Sequence, residues 1–461
     1  MYVVRRLLYL PVSLLLLSLV VFGLRSLSPY DPVLAALPAA EMRTSNDDPT
    51  AFDRQYRRTA RRLGLDVPAF YFSVQNAALP DTLYRITRPA ERKFLRAMTL
   101  DAGDWGKVAK FHTALREVAY AERGEHPPAT GLLARQLLQQ DDPARVRDLL
   151  SIWERAGTAP KVAAAYRELY TDVERLRLLG VKFRWHGTDN QYHHWLIGLL
   201  TGELGTSTLD KQPVATKIGR ALPTTLLLSS LSLLIVLAVS IPLGLSLASR
   251  AGSRYDKLTT TGLFILFGIP SFWLATLLAN FLTTPAYGMD FFPSMGLGGD
   301  LSALPWHEAA STRMAHLVLP LFCFSYPSTV YVSRLLRASA LEELSLAYVR
   351  TARMKGLSER RILFGHVLRN ASFPLISILS TVFPALLAGS ILIEQIFNLP
   401  GMGRLLYEAA VSSDWPVILA LVMLNGVLTA IGLLIADLLY TVLDPRVELA
   451  PGEVSRPISL H

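Results

Sequence analysis

Six long apolar runs, separated by polar stretches, dominate the chain: Leu7–Leu27, Leu222–Leu247, Leu258–Leu282, Met314–Leu336, Asn370–Ile393 and Pro416–Tyr440. A helix needs about 20 residues to cross a hydrocarbon core of about 30 Å, and each run is long enough. The second, third and fifth contain no Asp, Glu, Lys or Arg. Pro242, Pro270 and Pro384 lie inside them, which membrane helices tolerate because neighbouring helices and Ser/Thr side chains satisfy the freed backbone groups. A soluble protein with six such runs would have no polar surface to cover them. The pattern therefore predicts an all-α polytopic membrane protein with six spans. The first run follows Arg5 and Arg6 but is longer than the apolar region of a signal peptide, and no A-x-A site directly follows it, so an uncleaved helix is expected.

The pattern changes between the first and second runs. Glu41–Asp189 holds 25 basic and 20 acidic residues out of 46 and 37 in the whole chain, so more than half of all charge sits there. Its later part, Ala69–Asp189, is rich in Leu, Ala, Arg and Glu and predicts helices; Tyr166, Leu169, Val173 and Leu176 fall at helical spacing. The 461-residue composition agrees with the membrane reading: 51% hydrophobic, 18% charged, mean hydropathy +0.32. The single cysteine, Cys323, excludes an intrachain disulfide framework and any Cys-rich metal site.

A net charge of +9 would suit nucleic acid or an anionic membrane, so the position of the charge decides its meaning. Arg250, Arg254 and Lys257 lie between runs two and three, and Arg337, Arg350, Arg353, Lys355, Arg360, Arg361 and Arg369 between four and five. The alternate loops carry only Arg313 and Arg404. By the positive-inside rule both termini and the two basic loops are cytoplasmic, and the long charged segment is extracytoplasmic. The basic balance then speaks for topology rather than for nucleic acid.

The loop between runs four and five is the most informative. Leu341, Leu344, Tyr348 and Ala352 predict one helix with an apolar stripe. Gly356 suits a left-handed C′ position, with Arg353 and Lys355 near the negative end of the helix dipole. Ser358 is placed to N-cap a second helix, with Glu359 in its first turn. The product is a compact helix–turn–helix displayed on the cytoplasmic face, which on its own could be a solvated basic loop or a DNA-binding motif.

The stretch YVRTARMKGLSERR, Tyr348 to Arg361, resembles the coupling motif of inner-membrane permease subunits of bacterial ABC importers for peptides and nickel, of the dipeptide/oligopeptide permease B type. Where the general motif has Glu-Ala-Ala, three residues and Gly, this chain has Arg350, Thr351 and Ala352 and then Gly356; where it has Ile-x-Leu-Pro, this chain has His366, Val367, Leu368 and Arg369. Further blocks follow in family order: RRLGLDVP from Arg61, QYHHWLIGLLTGELGTS from Gln191, LPTTLLLSS from Leu222, IPSFW from Ile269, ILIEQIFNLPGMGRLL from Ile391 and ADLLYTVLDPR ending at Arg446. The departure from the family is Ala69–Asp189, inserted where the family passes almost directly from one segment to the next.

The resemblance implies the type I ABC importer permease (MetI-like) fold with a helical extracytoplasmic insertion. Its divisions would be an N-terminal transmembrane helix over 1–29, an extracytoplasmic region over 30–195 holding the insertion at 69–189, a five-helix core over 196–445 with a coupling loop at 337–370, and a cytoplasmic tail over 446–461. It implies a chain in the bacterial cytoplasmic membrane that forms half of a peptide or nickel pathway. Partners would be a second homologous permease, two ABC ATPases, an extracytoplasmic binding protein or lipoprotein and the bilayer, without nucleic acid. Tyr348, Arg350, Thr351, Ala352, Arg353, Lys355, Gly356, Leu357 and Ser358 would dock the ATPase. Glu394, Asn398, Pro400, Gly401 and Gly403, with Arg404, would lie near the translocation path or the binding-protein contact, or else simply join two helices.

The motifs that are missing fit the same division of labour. The single Gly-Lys pair, Gly106–Lys107, precedes Val108, so no phosphate loop occurs and ATP with magnesium would belong to partner ATPases, with no cofactor in this chain. No HExxH or G-x-S-x-G appears, and neither an enzyme nor a resident metal is expected; His186, His193 and His194 cluster, and His193 and His194 read as an interfacial pair at the membrane surface. The competing class is an ion-coupled secondary transporter or channel. It would place ionisable residues at membrane depth, whereas Arg334, Glu394 and Asp437 lie towards the ends of their runs.

Overall fold

A computed structural model describes residues 2–27, 31–37, 49–121, 127–156, 159–171, 178–284, 286, 289–293, 295–299, 301, 303–372, 375 and 391–443. The chain divides into two compact units, Ser28–Glu203 and a second made of Met1–Leu27 with Leu204–His461. Besides a single helical turn at Pro32–Ala36 and a 3-10 turn at Leu83–Arg85, the helices in order begin with α1 (Tyr2–Leu27), α2 (Pro49–Arg62), α3 (Pro89–Ala102), α4 (Trp105–Ala119), α5 (Pro128–Leu137), α6 (Pro143–Ala156), α7 (Pro160–Leu169) and α8 (Gln191–Thr201). Two strands, β1 (Phe72–Asn76) and β2 (Val181–Trp185), fall among them. There follow α9 (Val214–Ser249), α10 (Arg254–Gly268), α11 (Ser271–Thr283), α12 (Trp306–Leu344), α13 (Ala347–Met354), α14 (Glu359–Ile362), a π-helical turn at Leu363–Val367, α15 (Leu368–Ala371), α16 (Ile391–Ile396), α17 (Met402–Val411) and α18 (Trp415–Leu443).

The Ser28–Glu203 unit is helical because apolar residues recur every three to four positions. Phe94, Leu95 and Met98 of α3, Val108, Phe111 and Leu115 of α4, and Val162 and Leu169 of α7 meet in one core with Leu137, Val146 and Trp153. Gly103, at φ +77°, ends α3, and the Asp104 carboxylate caps α4 by accepting from Gly106 N at 2.7 Å. Tyr166 and Leu169 lie in or against this core, while Val173 and Leu176 of the same predicted stripe fall outside the described residues.

The sequence did not announce the strands. They pair antiparallel, Phe72 opposite Trp185 and Val74 opposite Phe183, and so close the two ends of the segment between them. Directly opposite residues share a face, so Phe72, Val74, Val181, Phe183 and Trp185 form one apolar face, and all five are exposed. On the other face Lys182 and Arg184 both pair with Asp81.

Among the described residues of the other unit four single helices are long and apolar enough to cross a membrane: α1, α9, α12 and α18. The 36 residues of α9 and 39 of α12 exceed what a bilayer core needs. Where the two cross, Gly244 takes the place of a side chain: a Cβ there would lie 2.8 Å from Ser333 O and 3.0 Å from Leu336 Cβ. One turn away Ser240 Oγ donates to Thr329 O at 3.1 Å, so small residues bring the backbones together. Leu17 of α1 similarly seats against Gly426 of α18.

The third run is not one straight helix. It breaks into α10 and α11, which meet at 90°. Pro270 has no N–H and disfavours helical geometry in the residue before it, and Ile269 is accordingly extended at φ −86°, ψ 121°. Tyr326 of α12 donates its hydroxyl to Ile269 O, satisfying a carbonyl at the break. Apart from its ends, the fifth run lies outside the described residues, and so do Pro384 and the tail at 446–461.

Candidate functional site

The loop between the fourth and fifth runs is built from the end of α12. The predicted single helix over Leu341–Ala352 is two: α12 stops at Leu344, Ser345 Oγ turns back onto Glu342 O at 2.7 Å, and Leu346 is extended at ψ 153° before α13 begins. Spacing could not reveal this break, because the apolar positions continue across it. Leu341 and Leu344 of α12 and Tyr348, Val349 and Ala352 of α13 still share one apolar cluster, together with Leu245 and Ala248 of α9 and Ile362 and Val367 beyond the turn.

Gly356 takes the left-handed conformation at φ +78°. Its N–H bonds Arg353 O at 2.9 Å and the Leu357 N–H bonds Ala352 O at 3.3 Å, the two hydrogen bonds of a Schellman ending, with Leu357 packed on the same cluster as Ala352. Arg353 does more than face the helix dipole: its Nε donates to Glu359 Oε1 at 2.7 Å and clips α13 to α14. Ser358 occupies the N-cap position of α14 with extended backbone, but its side chain makes no capping hydrogen bond; its carbonyl accepts from Arg361 and Ile362 instead. Arg350, Thr351, Arg353, Met354 and Lys355 are exposed, Met354 to 81%.

Beneath that face lies a polar group of which sequence reasoning singled out Tyr348 alone, as a docking residue. Tyr348 Oη donates to Glu343 Oε2 at 2.6 Å, and Asn370 Nδ2 donates to the same oxygen at 3.2 Å and to Tyr348 Oη at 3.4 Å. Burial and the bond to Glu343 push the Tyr348 hydroxyl up to about 12, so it is a donor throughout the physiological range.

The second candidate group, around residues 394–404, is a packed turn. Glu394 is fully buried, and its carboxylate accepts from Thr225 Oγ1 at 3.0 Å and from Arg404 N at 2.9 Å. Thr225 Oγ1 in turn accepts from Met402 N at 2.8 Å. Carboxylate and hydroxyl thus satisfy N–H groups in the first turn of α17, where a negative charge is also favoured by the helix dipole. Only glycine fits around them. A Cβ at Gly401 would lie within 2.7 Å of both Glu394 oxygens, and one at Gly403 would lie 2.9 Å from Ile391 N. Asn398 is left-handed at φ +54° and accepts from the Arg404 guanidinium. Of the five predicted residues, Asn398 and Pro400 are exposed, while Glu394, Gly401 and Gly403 are buried.

A third node joins segments that the sequence holds far apart. Buried Asp414 accepts from Ser207 Oγ at 2.5 Å, Thr208 N at 2.9 Å and Thr208 Oγ1 at 3.0 Å. Nearby, the hydrogen bond from Lys217 holds the Asp210 carboxyl down at about 2. No local spacing could have revealed Asp414 or Thr225. The histidines have separate partners: His186 bonds Ser73 Oγ at 2.9 Å, His193 bonds Tyr71 Oη at 3.0 Å, and His194 lies 3.5 Å from Asp189, with the His193 and His194 rings 6.4 Å apart. Among the described residues no group of three His, Cys, Asp or Glu is placed to hold a metal.

Comparison with known proteins gives these sites a context. The model of the family described as "Binding-protein-dependent transport system inner membrane component" matches residues 240–449. The oligopeptide transport system permease protein AppB of Bacillus subtilis is 37% identical over 290 residues, which is 63% of this chain and 87% of that protein. The inner membrane ABC transporter permease protein YejB of Escherichia coli O157:H7 is 36% identical over 263 residues, 56% of this chain and 71% of that one. A solved structure of the MetNI methionine ABC transporter in inward-facing conformations aligns at TM-score 0.38 and 16% identity, covering 50% of this chain and 99% of that chain, a loose likeness.

Proposed function

This chain belongs to the family of binding-protein-dependent transport system inner membrane components, among its peptide permeases, and from that premise we propose how its parts serve import. It is the permease subunit of an ABC importer for peptides, a multi-pass protein of the inner membrane. Such permeases leave ATP hydrolysis to separate subunits, typically carry no cofactor, and work with a substrate-binding protein and a second permease. The observation that carries this reading is the 37% identity extending over 87% of an oligopeptide permease. The ion-coupled transporter or channel finds no support among the relatives.

In our finer reading, six spans cross the membrane with both termini inside and the Ala69–Asp189 insertion outside. The Lys and Arg distribution supports that orientation. Two ATPases bind ATP and magnesium, and each permease of a pair contributes half of the pathway. The segment Tyr348–Ser358 docks an ATPase, which its exposed Arg350, Met354 and Lys355 on a rigidly capped helix support. ATP-driven closure of the ATPases moves this segment and alternates access to the pathway. For Glu394, Gly401 and Gly403 the buried packing favours a role in shaping the turn that presents Asn398 and Pro400. The exposed apolar face of the β1–β2 ribbon supports the insertion as a contact for the binding lipoprotein or another envelope component.

The test is peptide uptake into vesicles holding the assembled transporter. Uptake should require ATP and binding protein, and uptake driven by an ion gradient without nucleotide would overturn the importer reading.

A further inference from the structure

Three elements meet at one carboxylate oxygen. Glu343 is the penultimate residue of α12, Tyr348 stands in the first turn of α13, and Asn370 lies in α15, where the fifth apolar run begins. Both Tyr348 Oη and Asn370 Nδ2 donate to Glu343 Oε2, and they also bond each other. The backbone between α12 and α13 is broken at Ser345–Leu346, so no continuous helix carries force across that point. Between α13 and α15 the chain passes through the left-handed Gly356 and a π-helical turn, both interruptions of α-helical geometry. The apolar cluster beneath them is non-directional, whereas hydrogen bonds to one half-buried charged oxygen fix direction and distance.

We propose that Glu343, Tyr348 and Asn370 are positioning residues that pass movement of the docking helix α13 both to the long helix α12 and to the start of the fifth span. Glu343 is the shared acceptor. Tyr348 reports the position of α13, and Asn370 follows it. The inference rests on the importer reading, and it adds which side chains, beyond the docking surface, make ATP hydrolysis productive.

The experiment uses the complete transporter in proteoliposomes, with ATP hydrolysis and uptake of a tryptic mixture of di- to hexapeptides measured on the same preparation. The variants are Tyr348→Phe, Asn370→Ala, their combination, Glu343→Ala and Glu343→Gln. Tyr348→Phe keeps the ring in its cluster and removes only the donor. Each of the first four should lower peptide taken up per ATP hydrolysed by about fivefold or more, while in Asn370→Ala and Glu343→Ala, which lie outside the docking segment, ATPase subunits still copurify. The combination should be no worse than the more severe single change, because both donors serve one acceptor. Glu343→Gln should restore the ratio close to wild type, since an amide oxygen accepts from both donors. A merely structural trio would lower assembly, hydrolysis and uptake together and leave the ratio unchanged, and that result would overturn the proposal, as would additive effects of the two donor changes. Failure of the importer reading is separate, because wild type itself would then lack ATP-dependent uptake.

Discussion

Two glycines carry different physical demands, and their predictions differ accordingly. Gly356 is needed for its backbone: nothing lies within 4 Å of where a Cβ would stand, but φ is +78°. Gly356→Val has space and lacks the conformation, at a cost of at least about 1–2 kcal/mol. The Schellman ending should open and release the Arg353–Glu359 clip. We expect a subunit that still inserts and binds ATPases but hydrolyses ATP with little uptake; wild-type uptake would refute the role of the cap. Gly401 is needed for its missing side chain. Gly401→Ala drives a methyl into the Glu394 carboxylate and should destabilise the α16–α17 turn by about 1–3 kcal/mol, read as a lower thermal midpoint of the purified transporter. Adding Glu394→Ala should recover part of that loss, since it removes the collision, although α17 then loses an acceptor. The first glycine was legible in the sequence because helix endings have a local signature. The second was legible as part of a turn but not as packing, because its partners Glu394 and Thr225 are brought to it by tertiary structure.

Among the elements, the apolar runs predicted helices well and their continuity less well. Helical periodicity reports which face is buried, and a break that preserves the face leaves the period intact. That is why α12 and α13 read as one helix across Ser345, while four long helices matched their runs. Pro270 was visible, but whether a proline is absorbed or breaks the helix depends on the neighbours that satisfy the freed groups, and here Tyr326 is one of them. Tyr326→Phe leaves Ile269 O without that donor. Hydrogen bonds between membrane helices average about 0.6 kcal/mol and reach about 1.7, so a modest loss of thermal stability is expected, with transport retained. A collapse of folding would mean that this one bond holds the 90° bend. Gly244→Leu should be much more severe, because its side chain would meet backbone at Ser333 rather than the end of a flexible chain. Loss of the subunit from membranes is the expected readout.

At the scale of the whole chain, the segment read as an insertion was legible as charged and helical, and the β1–β2 ribbon was not, since two five-residue strands more than 100 residues apart leave no pattern in any local window. The ribbon changes how the insertion is best tested. Cutting at Ala69 and Asp189 would remove β1 and β2 together with the aromatic contacts of Phe70 and Tyr71 with Tyr192, and the effect would mix lost recruitment with damage to α8. Ala77 N bonds Gly180 O at 2.9 Å, so these two residues stand opposite each other where the ladder ends. Replacing 78–179 by Asn-Gly should close the strands as a hairpin, because Ala77 and Gly180 are a hydrogen-bonded pair and a type I′ turn between them matches the strand twist. The excision also removes the partners of Asp53, namely Thr87 and Arg116, and Asp53→Ala in the same variant avoids leaving that carboxylate unpaired. If the helices of the insertion recruit an envelope partner, this variant should insert and keep its ATPases while uptake falls. A second change then tells the surface from the helices: Phe183→Lys with Trp185→Lys in the full-length chain charges the exposed face and leaves the helical core intact. Because the excision keeps the ribbon, loss of uptake only in the lysine variant would place recruitment on the ribbon, loss only on excision would place it on the helices, loss in both would mean that recruitment needs both, and unchanged uptake in both would end the recruitment reading.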